Sequence, residues 1–204
     1  MKPRPFDYIR PDTVEEVLAL LADYGDDARI LAGGQSLVPM LNLRLVDVGV
    51  LIDISQVREL DSIRDLGGKI EIGAAVTQNT LMAWPELANK LPLVNAALPF
   101  VGHFQTRNKG TVCGSIAHAD PSSELPLTLA VLGGEVVLRS AKGERVLPAT
   151  MAGTPDVSRS RARETTRSNA SLQRPTARPL APSGLGKLVR SASRSDIAKP
   201  NRSF

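Results

Sequence analysis

Between Thr13 and Ile54 the hydrophobic period of the chain changes from helical to extended, and two consecutive glycines punctuate the change. Thr13-Val14-Glu15-Glu16 has the form of a capping box, in which the threonine side chain takes the N3 amide and the glutamate reaches back to the cap. Val14, Val17, Leu18 and Leu21 then fall at i, i+3, i+4 and i+7, the stripe of one helix face, and Gly25 is placed to end that helix. Two short apolar runs follow, residues 28–32 and 48–54, each bounded by turn or polar residues, as buried strands are. The expected unit is β-α-β-turn-β with parallel pairing, because a helical crossover brings the next strand back in the same direction.

Beyond residue 55 the period changes again. In "KIEIGAAV" Ile70 and Ile72 alternate with Lys69 and Glu71, a strand with one buried face. The pattern then predicts a helix over 79–87 capped by Asn79 or Thr80, and a second over 93–98 bracketed by Pro92 and Pro99. A hairpin is expected where "EVVLRS" meets "AKGERV", around Lys142-Gly143. Residues 1–55 and 56–150 thus read as two lobes of an α+β fold.

The glycine pair lies in Ala32-Gly33-Gly34-Gln35-Ser36, directly after an expected strand. Adjacent glycines are entropically costly in a regular element, so they mark a place where bare backbone is needed. Such a loop can present successive N–H groups as an anion nest; a tight structural turn is the alternative. Spacing excludes the better-known rivals. No Gly-Lys-Ser/Thr completes a Walker loop, no G-x-G-x-x-G is present, and Val38 stands where a nucleophile elbow needs its second glycine. A second small-residue segment, "RNKGTVCGSIAHADP", runs from Arg107 to Pro121 and reads as another loop. Within it Cys113 is expected to be a buried small hydrophobe and Asp120-Pro121 a rigidifying turn.

Charge divides the chain. Residues 1–150 carry fourteen Lys and Arg against eighteen Asp and Glu, whereas residues 151–204 carry eleven against three. The later segment, rich in Arg, Ser and Pro, has the low hydrophobicity and high net charge of disorder. No aromatic interleaves its basic residues to stack a base, so no nucleic-acid partner is expected. The single cysteine, Cys113, leaves no internal disulfide framework and no multi-cysteine metal site. No apolar run approaches the ~18 residues of a membrane span, and no secretory h-region opens the chain; no membrane partner and a cytoplasmic location are expected.

Taken together, "AGGQSL" and "GTVCGSIAHADP", with "FDYIRPDTVEEVLALLA", "LIDIS" and "IGAAVTQ" in the same order, resemble the flavin-binding medium subunit of molybdenum hydroxylases over essentially residues 1–150. The resemblance implies a two-lobed PCMH-type FAD-binding domain, a small βαββ lobe and a larger mixed α+β lobe, followed by the disordered tail. It implies an FAD-dependent oxidoreductase subunit that passes electrons from [2Fe–2S] clusters of a small subunit to an acceptor, alongside a large subunit holding the molybdenum cofactor. By the same resemblance the pyrophosphate falls on Ile30, Leu31, Ala32, Gly33, Gly34, Gln35, Ser36 and Leu37. The diphosphate, ribitol and flavin edge fall on Thr111, Val112, Cys113, Gly114 and Ser115, with Val101 and Glu124 as further contacts and no catalytic or metal residue. Cys113 stands where many relatives have glycine, so the resemblance predicts either extended backbone there or weakened FAD affinity. Neither His103 nor His118 is required as a base by an electron-transfer role. The family continues into a third domain where this chain enters its basic segment, whose composition resembles a high-GC coding sequence read out of frame. A non-functional remnant and a basic-tailed binding module therefore stay open as other readings.

Overall fold

The computed structural model describes residues 1–151 and 172–173. The first lobe is built on β1 (Asp7–Ile9), α1 (Val14–Tyr24), β2 (Ala28–Leu31), α2 (Leu37–Asn42) and β3 (Val50–Asp53). The strands pair in the order β1-β3-β2, both pairs parallel, with Ile52 of β3 opposite Ile9 on one side and Ile30 on the other. The middle strand is buried along its whole length, as a strand covered on two faces must be. Strand alternation divides the cover: α1 sets Val14, Val17 and Leu21 against Ala28, Val50 and Ile52, while α2 sets Leu41 beside Leu51 on the opposite face.

The helix signals act as expected. Thr13 Oγ1 accepts from the Glu16 amide at 3.2 Å, and Glu16 Oε2 accepts from the Thr13 amide at 3.4 Å and from the Asp12 amide at 2.8 Å, so the capping box closes in both directions at the start of α1. Gly25, at φ +52°, closes the helix by donating to Leu21 O.

The second lobe comprises β4 (Ile63–Asp65), β5 (Lys69–Ile72), α3 (Gln78–Met82), α4 (Leu87–Lys90), α5 (Pro92–Ala97), α6 (Phe104–Lys109), α7 (Val112–His118), α8 (Glu124–Val131), β6 (Glu135–Ser140), β7 (Gly143–Pro148) and β8 (Leu172–Gln173). β4 and β8 flank β5 antiparallel, and β6 with β7 forms the expected hairpin, Ser140 opposite Gly143. Ile70, Ile72, Leu81, Leu98, Ile116 and Leu129 meet in its core. Val57, Leu60, Ala74, Ala75 and Cys113 pack instead with α1 and β3, so the chain crosses back onto the first core after residue 55. The expectation of disorder over 151–204 lies outside the described residues, apart from Met151, which ends a 3₁₀ turn, and strand β8.

Three local expectations differ from the structure. The turn between β2 and β3 contains α2. The helix expected over 79–87 is two helices with Thr77 as the cap of the first, its Oγ1 accepting from the Thr80 amide at 3.0 Å. The break falls at Trp84-Pro85, where the proline disfavours helical backbone in the residue before it. The segment 107–121 is helical for much of its length: α6 ends at Lys109 and α7 begins at Val112.

Candidate functional site

A cleft of about 650 Å³ opens at the carboxyl ends of β2 and β3, in the range of small-molecule sites. Carboxyl ends of parallel strands are where such folds keep their ligand loops. One wall is the glycine loop. Gly34 adopts φ +70°, which a side chain would strain. Gly33 has a different reason to be glycine: a Cβ there would stand 2.1 Å from the carbonyl oxygen of Lys109, which crosses against the loop. The pair is thus demanded once by a dihedral angle and once by a close approach. Among the described residues, the N–H groups of Gly33, Gly34, Gln35 and Ser36 donate to no protein acceptor. Gln35 Nε2 donates to Gly33 O at 3.2 Å.

The opposite wall starts at Gly110 and enters α7. Its amides are largely used. Val112 N donates to Val76 O at 3.0 Å, Gly114 N to the capping hydroxyl of Thr111 at 3.0 Å, and Ser115 N to Thr111 O at 3.2 Å. Gly114 must be small because a Cβ would lie 2.6 Å from Thr111 Oγ1. This wall therefore offers a closely approachable surface, whereas the amides without protein acceptors lie on the glycine loop. Cys113 is helical and 2 % exposed, with its Sγ 3.4 Å from Ile72 O. The position is helical rather than extended, and helical backbone has negative φ, so cysteine carries no conformational penalty there.

The rim is pinned by Arg107, whose Nη1 donates to Gly102 O at 2.8 Å and Val101 O at 3.1 Å. At the far end Asp120 Oδ1 accepts from the Ser122 amide at 2.8 Å, the turn expected there, and Ser115 and Ser123 hydroxyls meet at 3.0 Å. Glu124 lines that end from the first turn of α8.

Of the residues singled out from sequence, Ile30, Ala32, Gly33, Gly34, Gln35, Ser36 and Leu37 line the cleft, as do Val101, Thr111, Cys113, Gly114, Ser115 and Glu124. Leu31 and Val112 do not. Leu31 points to the opposite face of β2, toward α2, because side chains alternate along a strand; Val112 sits in the second core. His118 lines the cleft, and so do Arg29, Ala74, Gln78 and Thr106, which the sequence reading did not select. The Arg29 Nη1 donates to the carbonyls of Asp26 and Ala28, each at 2.7 Å, at the amino end of β2. Gln78 is 5 % exposed and its Oε1 is buried without a partner among the described residues. Among the described residues no group of His, Cys, Asp and Glu is arranged to hold a metal, and no helix is long and apolar enough to cross a membrane.

A bare amide nest facing a wall of small residues suits an elongated anionic ligand such as a dinucleotide. Residues 4–154 match the family described as the FAD binding domain in molybdopterin dehydrogenase. The 6-hydroxypseudooxynicotine dehydrogenase complex subunit alpha of Paenarthrobacter nicotinovorans is 46% identical over 148 residues, covering 72% of this chain and 50% of that protein. The medium chain of the carbon monoxide dehydrogenase of Hydrogenophaga pseudoflava is 40% identical over 149 residues, covering 73% and 52%. A solved structure of that dehydrogenase superposes with a TM-score of 0.71 over 74% of this chain and 52% of its own. Quinoline 2-oxidoreductase from Pseudomonas putida 86 gives a TM-score of 0.71 at 41% identity over 74% and 52%. The chain spans about half the length of the relatives it matches and belongs to the family of FAD binding domains in molybdopterin dehydrogenases.

Proposed function

We propose that the cleft carries FAD, with the pyrophosphate on the bare loop of Ala32, Gly33, Gly34, Gln35 and Ser36. One observation supports this above the rest: four successive amides around a positive-φ glycine, all of residues that line the cleft, meet no acceptor among the described residues. Ile30 and Leu37 flank that loop, and Leu31 steadies it from the α2 side. Thr111, Cys113, Gly114 and Ser115 let the ribityl chain and ring edge approach closely, with Val112 anchoring their helix in the core. Val101 covers the rim, and Glu124 is an acceptor for a sugar hydroxyl. FAD, when bound, supplies the electron exchange; this chain binds it, orients it and limits its contact with water.

The chain then serves as the flavin subunit of a molybdenum-dependent hydroxylase or dehydrogenase. Its partners are a [2Fe–2S] small subunit and a molybdenum-cofactor large subunit, and electrons reach an acceptor through its flavin. Relatives named as a medium chain and as a subunit of dehydrogenase complexes support this assembly.

Equilibrium titration of the purified chain with FAD, followed by flavin fluorescence, tests the site. Binding should be displaced by ADP, which shares the pyrophosphate, and much less by riboflavin, which has no phosphate. Absence of FAD binding, or displacement by riboflavin but not ADP, overturns the assignment of the glycine loop.

A further inference from the structure

Resting on the reading of the cleft as an FAD site, we propose that Gln78 is a ligand-binding residue whose side-chain oxygen is reserved for a hydroxyl of the bound dinucleotide. Gln78 opens α3, directly after the cap Thr77, and its amide donates to Gly110 O at 2.8 Å. That bond holds the residue against the small-residue wall. A Cβ added to Gly110 would meet Gln35 Cγ and Gln78 Cδ at 3.4 Å each, so the carboxamide lies within a side chain's reach of the glycine loop. The residue is 5 % exposed, lines the cleft, and leaves Oε1 buried with no donor among the described residues. Buried polar groups are nearly always paired, because an orphan keeps the whole desolvation penalty. A core that needed only shape would be served better by methionine or leucine at this position.

The chemistry of the orphan atom limits what it can meet. An amide oxygen only accepts hydrogen bonds, and pyrophosphate oxygens do the same, so the two do not pair. The amides of Gly33, Gly34, Gln35 and Ser36 supply donors for the phosphates. On either side of the pyrophosphate the ligand presents hydroxyls, of the ribose or of the ribityl chain, and these donate. Gln78 is therefore a hydroxyl acceptor beside a phosphate nest, and its unpaired oxygen in the free protein is the cost of that readiness.

The test uses the full chain with Gln78→Met, which keeps length and volume and removes hydrogen bonding. Urea unfolding of the ligand-free protein should give a midpoint equal to or above wild type, since a buried orphan has been removed. FAD affinity measured by fluorescence titration should fall about three- to tenfold, the worth of one hydrogen bond. Gln78→Asn, which withdraws the carboxamide by one methylene, should fold and lose affinity similarly. An equal loss for ADP assigns the ribose hydroxyl, and a loss confined to FAD assigns the ribityl chain. Unchanged FAD affinity in both variants, or a ligand-free Gln78→Met that is less stable than wild type with affinity kept, overturns the proposal and leaves the FAD reading standing. A wild-type chain that does not bind FAD removes both.

Discussion

Single residues in this protein are constrained both by their own backbone angles and by what crosses against them, as Gly34 and Gly33 illustrate. A glycine pair after an apolar run announces bare backbone, and both glycines are required, yet for unlike reasons: Gly34 for φ +70° and Gly33 for the crossing of Lys109. The second reason depends on a residue 76 positions away and is illegible locally. Gln78 is a harder case, because glutamine is ordinary on a helix and becomes informative only once it is buried with an orphan oxygen. Asp53 is similar: it ends an apolar strand at 9 % exposure, where its carboxylate accepts from the Ser55 amide at 2.8 Å and from the Tyr8 hydroxyl. The hydrogen bond to Asp53 is the main cause of a raised pKa at Tyr8, followed by desolvation and by the charge of Asp53, with Arg10 opposing. Raised means that the fold prefers the neutral phenol. The stability from this contact is whole below the ordinary value of 10.0 and is lost as pH rises through the higher folded value. Urea midpoints measured from pH 8 to 11 should therefore fall more steeply for wild type than for Tyr8→Phe, and parallel curves would show that the contact does not couple to folding.

At the scale of elements, what could be read was what local chemistry decides. The capping box, stripe and terminal glycine of α1 lie within a dozen residues and act through contacts inside the helix. Strands β3 and β5 announced themselves by a continuous apolar run and by alternation. The helices around the cleft did not. α2 and α6 have six residues each and α7 has seven, too short to be stable alone, so they exist through tertiary packing that no local pattern encodes. Glycine and small polar residues in α7 also mimic a loop. The order β1-β3-β2 was equally hidden, because parallel pairing constrains direction but not which strand lies in the middle. α1 offers a direct check on the local part of the argument. Thr13→Ala leaves the amide of Glu16 without its acceptor and should cost ~1 kcal/mol in urea unfolding, a typical value for a lost N-cap. The loss should be accompanied by an unchanged m-value, since no additional surface is exposed. A change below a few tenths of a kcal/mol would mean that Glu16 alone secures the helix start.

For the described molecule as a whole, the cleft belongs to neither lobe, since the amide nest comes from the first and its facing wall from the second. That arrangement predicts a coupling that can be measured with a probe far in sequence from the mutation. Trp84, the only tryptophan, packs partly buried against the second core, so its fluorescence reports unfolding of that lobe. A ligand that binds only the folded protein stabilises it by about 2.7 kcal/mol at a hundred times its dissociation constant. With FAD at that level, the transition seen by Trp84 should move to higher urea by the corresponding amount. Gly34→Ala, made in the first lobe, places a side chain at φ +70° and sets its Cβ 3.1 Å from Val38 Cγ2, so the amide nest should distort. If affinity falls tenfold, the stabilisation seen at the same FAD concentration should shrink by about 1.4 kcal/mol. The ligand-free transitions of the two proteins, compared alongside, separate this loss from any direct effect of strain on folding. Should Trp84 report the same FAD-dependent shift in Gly34→Ala as in wild type, the first-lobe loop would not be part of the site, and the flavin would have to be held by the second lobe alone.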